Sequence, residues 1–202
     1  MTKRKSPQAR IAGGGKAPQH RAAFAEDAFP PLSTSLEPFL KSGSDREFRQ
    51  LIYDLISLSN LMLRNRKHFA AYVGVTDAQQ VMMQIIAETA DATVSHIAKQ
   101  LNVSSQFVTI EIGDLIKKDI VDKRPNEADR RSMFLNLTAK GRNLLRELAP
   151  LLRRTNDTMF RSLTEERLRV LREIISTLVS DGKNALHELE APHLRSEKAP
   201  SV

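Results

Sequence analysis

No cysteine occurs among the 202 residues, so the chain has no disulfide, no thiolate metal site and no thiol redox switch. No run approaches the ~18 consecutive apolar residues of a membrane-spanning helix, and the N-terminus lacks the apolar core of a secretory signal. A cytoplasmic protein without membrane contact is expected. Catalytic constellations are missing too. The five histidines, His20, His68, His96, His187 and His193, are scattered, with no His-x-x-x-His pair. There is no Gly-x-Ser-x-Gly, and the Gly13-Gly14-Gly15 run lacks the Lys-Ser/Thr and helix that make a phosphate loop. No enzyme and no cofactor is expected.

Acidic residues are absent before Glu26, whereas Lys3, Arg4, Lys5, Arg10, Lys16 and Arg21 all precede it. With Pro7, Pro18, Pro30, Pro31 and Pro38, residues 1–44 read as a basic, largely disordered arm. Such an arm either adds phosphate contacts to nucleic-acid binding or merely solubilises the chain, and composition does not separate the two. Phe24, Phe29, Leu32, Leu36, Phe39 and Leu40 within it are of the kind that dock on a partner subunit. The whole chain carries a formal charge of +7, which favours a polyanionic partner, and its 41% hydrophobic content suffices for one domain plus tails. Residues 45–188 read as that domain and residues 189–202 as a flexible tail.

From Asp45 the pattern turns helical. Phe48, Leu51, Ile52, Leu55, Ile56, Met62 and Leu63 recur at three- and four-residue spacing, predicting one long amphipathic helix broken at Tyr72-Val73-Gly74. Thr76 and Gln79 form a capping box for a second helix, which buries Val81, Met82, Ile85 and Ile86. Thr93 caps a short helix with Ile97, Ala98 and Leu101 inward, Asn102-Val103 turns the chain, and Ser104 caps the next helix. This is a helix-turn-helix pattern in which Val103 and Val108 are expected to plug the corner. On the second helix of the pair, Ser105, Gln106, Thr109 and Ile110 take the early exposed positions, where hydroxyls and an amide reach base edges. Gly113, in the middle of that helix, suggests close packing or flexibility.

Ile120 and Val121 on one side, and Phe134, Leu135 and Leu137 on the other, flank a polar tip and predict a β-hairpin. The tip carries Asp129-Arg130-Arg131, with Lys123 and Arg124 nearby. Thr138 caps a helix containing Pro150, which should kink it, and Thr164 opens a last one with Glu165 and Glu166 in its first turn. Leu168, Leu171, Ile174, Ile175, Leu178, Val179 and Leu186 continue an apolar stripe along that last helix.

Asp129-Arg130-Arg131 at the hairpin tip, then Leu137-Thr138-Ala139-Lys140-Gly141, placed after a helix-turn-helix pattern, resembles the MarR family of winged helix-turn-helix transcriptional regulators. The resemblance covers roughly residues 45–188. It implies a mainly α fold with a small β-hairpin wing, dimerisation helices at 45–72 and 139–188, and a DNA-binding part at about 76–138. It also implies a homodimer on a roughly palindromic double-stranded site. The effector class is a small aromatic or phenolic carboxylate, or its CoA thioester, that releases DNA from a repressor. Candidate DNA contacts are Ser104, Ser105, Gln106, Thr109, Lys123, Arg124, Arg130 and Arg131, with Asp129 positioning an arginine. Arg64, His68 and Tyr72, at i, i+4 and i+8, could present a cation, an imidazole and a phenol to an effector. No metal ligands are expected.

The chain also departs from the family pattern. Relatives commonly carry basic residues near Ile110 and Asp114, an aliphatic near Glu111, and a glycine where Asp119 stands. Two acids on a base-reading helix either repel phosphate or are paired. A protein–protein adaptor that has lost DNA contact is the alternative they raise.

Overall fold

The computed structural model describes residues 29–127 and 132–191. Six helices and one antiparallel hairpin follow in order: α1 Arg46–Val73, α2 Asp77–Glu88, α3 Val94–Leu101, α4 Ser105–Lys117, β1 Val121–Pro125, β2 Met133–Leu137, α5 Ala139–Phe160 and α6 Glu165–Glu190. The chain divides into two compact units, residues 1–61 and 62–202. Each follows from local chemistry.

In the first unit the expected disordered arm gives way to structure before α1 begins. A 3-10 turn spans Glu37–Phe39, and Lys41 and Ser44 bridge backbone to backbone. Asp45 is fully buried; its carboxylate accepts from the Ser33 amide and hydroxyl, each at 2.6 Å, and pairs with Arg49. The Phe39 and Phe48 rings stack with centroids 4.9 Å apart. Composition alone missed this because one buried carboxylate, with three donors converging on it, orders a stretch that otherwise has the look of a tail. The basic residues 1–28 and the tail from residue 192 lie outside the described residues.

The second unit is built on caps. Thr76 accepts from the Gln79 amide at 3.1 Å while the Gln79 side chain accepts from the Thr76 amide at 3.1 Å, the reciprocal pair that satisfies two orphan donors of α2. Thr93, Ser104, Thr138 and Thr164 cap α3, α4, α5 and α6 one way, each hydroxyl accepting from the amide three residues on. Asn102 ends α3 at φ +55, a left-handed conformation that asparagine tolerates. Asp119 does the same after α4, at φ +57.

One core joins these pieces. Met82, Met83, Ile97, Val108, Ile112, Leu115 and Leu135 are at most 1% exposed, and Ile120, Val121 and Leu137 close the set from the hairpin. Burying each large aliphatic side chain contributes roughly 1.5–3 kcal/mol. The corner of the helix-turn-helix rests on Val108 alone, since Val103 is exposed. Gly113 has open space where a Cβ would project, so close packing does not explain it. Gly141 is the opposite case: a Cβ there would stand 2.3 Å from the Ile120 carbonyl oxygen. That oxygen already accepts from the Thr138 amide at 3.0 Å, so the start of α5 lies directly on the end of the α4–β1 turn. Lys140 adds a bond to the Lys118 carbonyl at 2.7 Å, a cation at the C-terminus of α4. Thus the Thr-x-x-Gly of the signature is a packing requirement.

A second, smaller cluster joins Phe69, Val73 and Leu148, with Leu144, Leu151 and Leu152 against it. Pro150 lies inside α5, which runs through it to Phe160. No residue of α6 is buried: its apolar stripe, including Leu168, Ile174, Leu178 and Val179, is exposed in the single chain.

Candidate functional site

The helix-turn-helix and the hairpin share one core, and this places their polar residues. Leu135 on β2 donates its amide to the Ala92 carbonyl at 2.8 Å, tying the hairpin to the loop before α3. Arg124 reinforces that tie. Its guanidinium pairs with Asp91 at 2.5 Å and lies 4.5 Å over the Phe134 ring, its cross-strand neighbour. Lys123 is exposed beside it. At the tip, the Asn126 amide donates to the Ser132 hydroxyl at 2.7 Å. Asp129, Arg130 and Arg131 lie outside the described residues.

On α4 the early positions are solvent-facing. Ser105, Gln106, Thr109 and Ile110 are exposed, and Ile110 keeps 58% of its surface. The Ser104 hydroxyl is engaged as the cap, accepting from the Phe107 amide at 3.1 Å. Thr109 donates its hydroxyl to the Ser105 carbonyl at 2.8 Å. The two acids of α4 are both tied back. Glu111 accepts from the Thr76 hydroxyl at 3.0 Å, across from the N-terminus of α2. Asp114 pairs with Lys117 at 2.9 Å, and that ammonium, by hydrogen bond and by charge, holds the Asp114 carboxyl below the ordinary carboxylate range. The helix therefore offers hydroxyl, amide and apolar groups to a partner, and its carboxylates are occupied.

Arg64, His68 and Tyr72 are exposed along one face of α1. The concavity beside this helix opens on a different face. A cavity of about 220 Å³ lies between α1, α2 and α5, lined by Asn65, Arg66 and Phe69 from α1, Gln80 and Gln84 from α2, and Met159 from α5 among others. One residue along a helix is a rotation of roughly 100°, enough to move a side chain from this cavity to the solvent. Of the residues that line it, Arg66 and Gln80 each carry a buried donor without a partner, Nε and Nε2. Arg66 is anchored at its other end, where Nη2 donates to the Asp77 carbonyl at 3.1 Å. The sequence carried a signal for this: Arg66 falls three residues before Phe69, on the buried stripe of α1, where an arginine is out of place. Met82 and Met83 are core; Met62 is part of the cavity wall. Among the described residues no group of three metal-ligating side chains occurs, and no helix is long and apolar enough to cross a membrane.

Comparison with known proteins agrees with this architecture. A family model described as MarR family matches residues 73–132, from the end of α1 into the hairpin tip. An uncharacterised protein of Mycobacterium tuberculosis is 30% identical over 102 residues, which cover 50% of this chain and 71% of that relative. Among solved structures, a MarR/EmrR family transcriptional regulator from Acinetobacter sp. ADP1 is similar at a TM-score of 0.59, with 18% identity over 67% of this chain and 96% of that one. Streptococcus pneumoniae FabT in complex with DNA is similar at a TM-score of 0.54, with 22% identity over 68% of this chain and 99% of that one. With a helix-turn-helix, a hairpin wing and helices on either side of them, this chain belongs to the MarR family of winged-helix transcriptional regulators.

Proposed function

We propose that the chain is a cytoplasmic, homodimeric, sequence-specific DNA-binding repressor, with α4 as its recognition helix and the hairpin as its wing. The observation that carries this reading is the disposition of the two acids on α4. Glu111 is held toward α2 by the Thr76 hydroxyl and Asp114 is paired with Lys117, so neither carboxylate is left loose beside the face bearing Ser105, Gln106 and Thr109. An adaptor that had abandoned DNA would have no need of that arrangement. Phosphate affinity is assigned to Arg130 and Arg131 of the wing sequence, with Asp129 as their positioner, and to Lys123; Arg124 acts by holding the wing base through Asp91. The exposed apolar stripe of α6 is the surface that a second subunit covers, giving two recognition helices for a palindromic site.

The effector enters the cavity between α1, α2 and α5. Arg66 and Gln80 give its lining a cation and a carboxamide that suit acceptor oxygens, and Phe69 with Met159 supplies apolar walls. A small aromatic carboxylate has both parts. Arg64, His68 and Tyr72 lie on the solvent side of α1 and are left to a secondary role at most.

The test is a gel shift on the duplex upstream of the protein's own operon. Tight binding that falls steeply with salt is expected, and Arg130→Ala with Arg131→Ala, which removes two arginines from each of two wings, should flatten the slope of log K against log salt by about 4. No binding to any such duplex at low salt overturns the reading. For the cavity, Arg66→Ala should abolish release of DNA by benzoate or salicylate while leaving DNA affinity in place.

A further inference from the structure

On the reading face of α4, what stands out is the kind of chemistry the helix has left available. Gln106 and Ile110 are one turn apart and share a face, both exposed, as is Thr109. The core positions of the same helix, Val108, Ile112 and Leu115, are already filled and buried, so Ile110 is not part of that packing. Exposed isoleucines are ordinary on protein surfaces, but this one stands where a major-groove reader meets base edges.

The groove offers four patterns of donors and acceptors, and only one base carries an apolar group, the C5 methyl of thymine. Guanine is read best by a cationic fork at O6 and N7, and cytosine by a carboxylate at N4. The first two turns of α4 contain no cation, and their acid, Glu111, is bound to Thr76. What remains is a carboxamide, which pairs bidentately with adenine N6 and N7, and an aliphatic surface. We infer that Gln106 and Ile110 together select A·T pairs in each half-site, with Gln106 on an adenine and Ile110 against the C5 methyl of a thymine. This inference rests on the DNA-binding reading and specifies which base pairs that reading requires.

The experiment selects duplexes from a randomised pool with the full-length protein, then measures affinity for the enriched duplex and for the same duplex with deoxyuridine in place of thymidine. Deoxyuridine preserves every hydrogen bond and removes only the methyl. Enrichment of A·T at the contacted steps is expected, together with a loss on uracil substitution of about fourfold per methyl contacted, the factor that one methyl's worth of buried apolar surface commands. Ile110→Ala should bind the two duplexes equally, and Gln106→Ala should relax the preference for adenine while keeping the discrimination against uracil. Equal affinity of the native protein for the two duplexes overturns the inference, as does discrimination that persists in Ile110→Ala. In either case, salt-sensitive binding to the selected duplex would leave the DNA-binding reading standing. Failure to enrich or bind any duplex at low salt brings down both.

Discussion

Helices α4 and α6 stand at opposite limits of how a helix is held. The first is short, with Val108, Ile112 and Leu115 buried, a serine cap at one end and Lys140 on a terminal carbonyl at the other. The second is twice as long, has the better apolar stripe, and buries nothing. A helix specified from within can afford a special surface, here one stripped of free carboxylates; a helix whose stripe is bare gains most of its stability from whatever covers it. The contrast separates residues that matter to the fold of one chain from residues whose burial, on the proposed reading, a second subunit supplies.

The largest effect to break this contrast with is on α6. Ile174→Glu with Leu178→Glu should leave the unfolding of the winged part nearly unchanged, yet halve the mass seen by light scattering. Affinity for a duplex with two half-sites should fall by about a hundredfold or more as bivalency is lost. If the double variant instead unfolds the winged part, α6 is held within the chain and the contrast is wrong. Next comes the base of α5: Gly141→Ala forces a Cβ onto the Ile120 carbonyl and should cost about 3 kcal/mol in denaturant unfolding.

A smaller change sharpens the account of α4. Thr76→Val removes both the cap of α2 and the donor to Glu111, costing about 2 kcal/mol of stability. It should also weaken DNA binding at low salt, because a carboxylate is freed near phosphate. Adding Glu111→Gln should restore the affinity, and an affinity indifferent to Thr76→Val would show that Glu111 faces away from the duplex. Gly113→Ala works in the other direction: with open space at the Cβ it should stabilise by up to about 1 kcal/mol. The smallest effect is acid sensitivity in the first unit. Ser33 holds the Asp45 carboxyl below its ordinary value through its hydroxyl and its amide. The stabilisation it gives is complete above the ordinary carboxylate range and fades as pH falls through the depressed value. Asp45→Asn should flatten that acid limb, as measured by thermal melts from neutral pH downward.

Much of this was legible in the sequence because it is local. Thr76 with Gln79, Thr93, Ser104, Thr138 and Thr164 lie within three residues of the amides they cap, so the chain order contains both partners. The turn at Asn102 was readable for the same reason. The cavity was not, because Arg66 and Gln80 become its lining only when Met159 and Leu152 of α5 arrive from far along the chain. The face carrying Arg64, His68 and Tyr72 has the more conspicuous chemistry, and spacing alone cannot say which face of a helix meets a neighbour. The pairing of Glu111 with Thr76 spans 35 positions, and the ordering of the stretch before α1 turns on a contact between Ser33 and Asp45. Both escape a reading of composition.

The bond from Leu135 to Ala92 has a mechanical meaning. A hairpin joined only at its own ends would bend about its root like a hinged flap. Pinned by that bond at mid-strand, and clamped again where Arg124 meets Asp91, it becomes a stiff arm with its fulcrum in the loop between α2 and α3. A small rotation of that loop is then multiplied by the length of the arm. On the proposed reading, an effector that wedged α2 away from α5 would deliver to the far end of the hairpin a displacement larger than the one applied at the cavity.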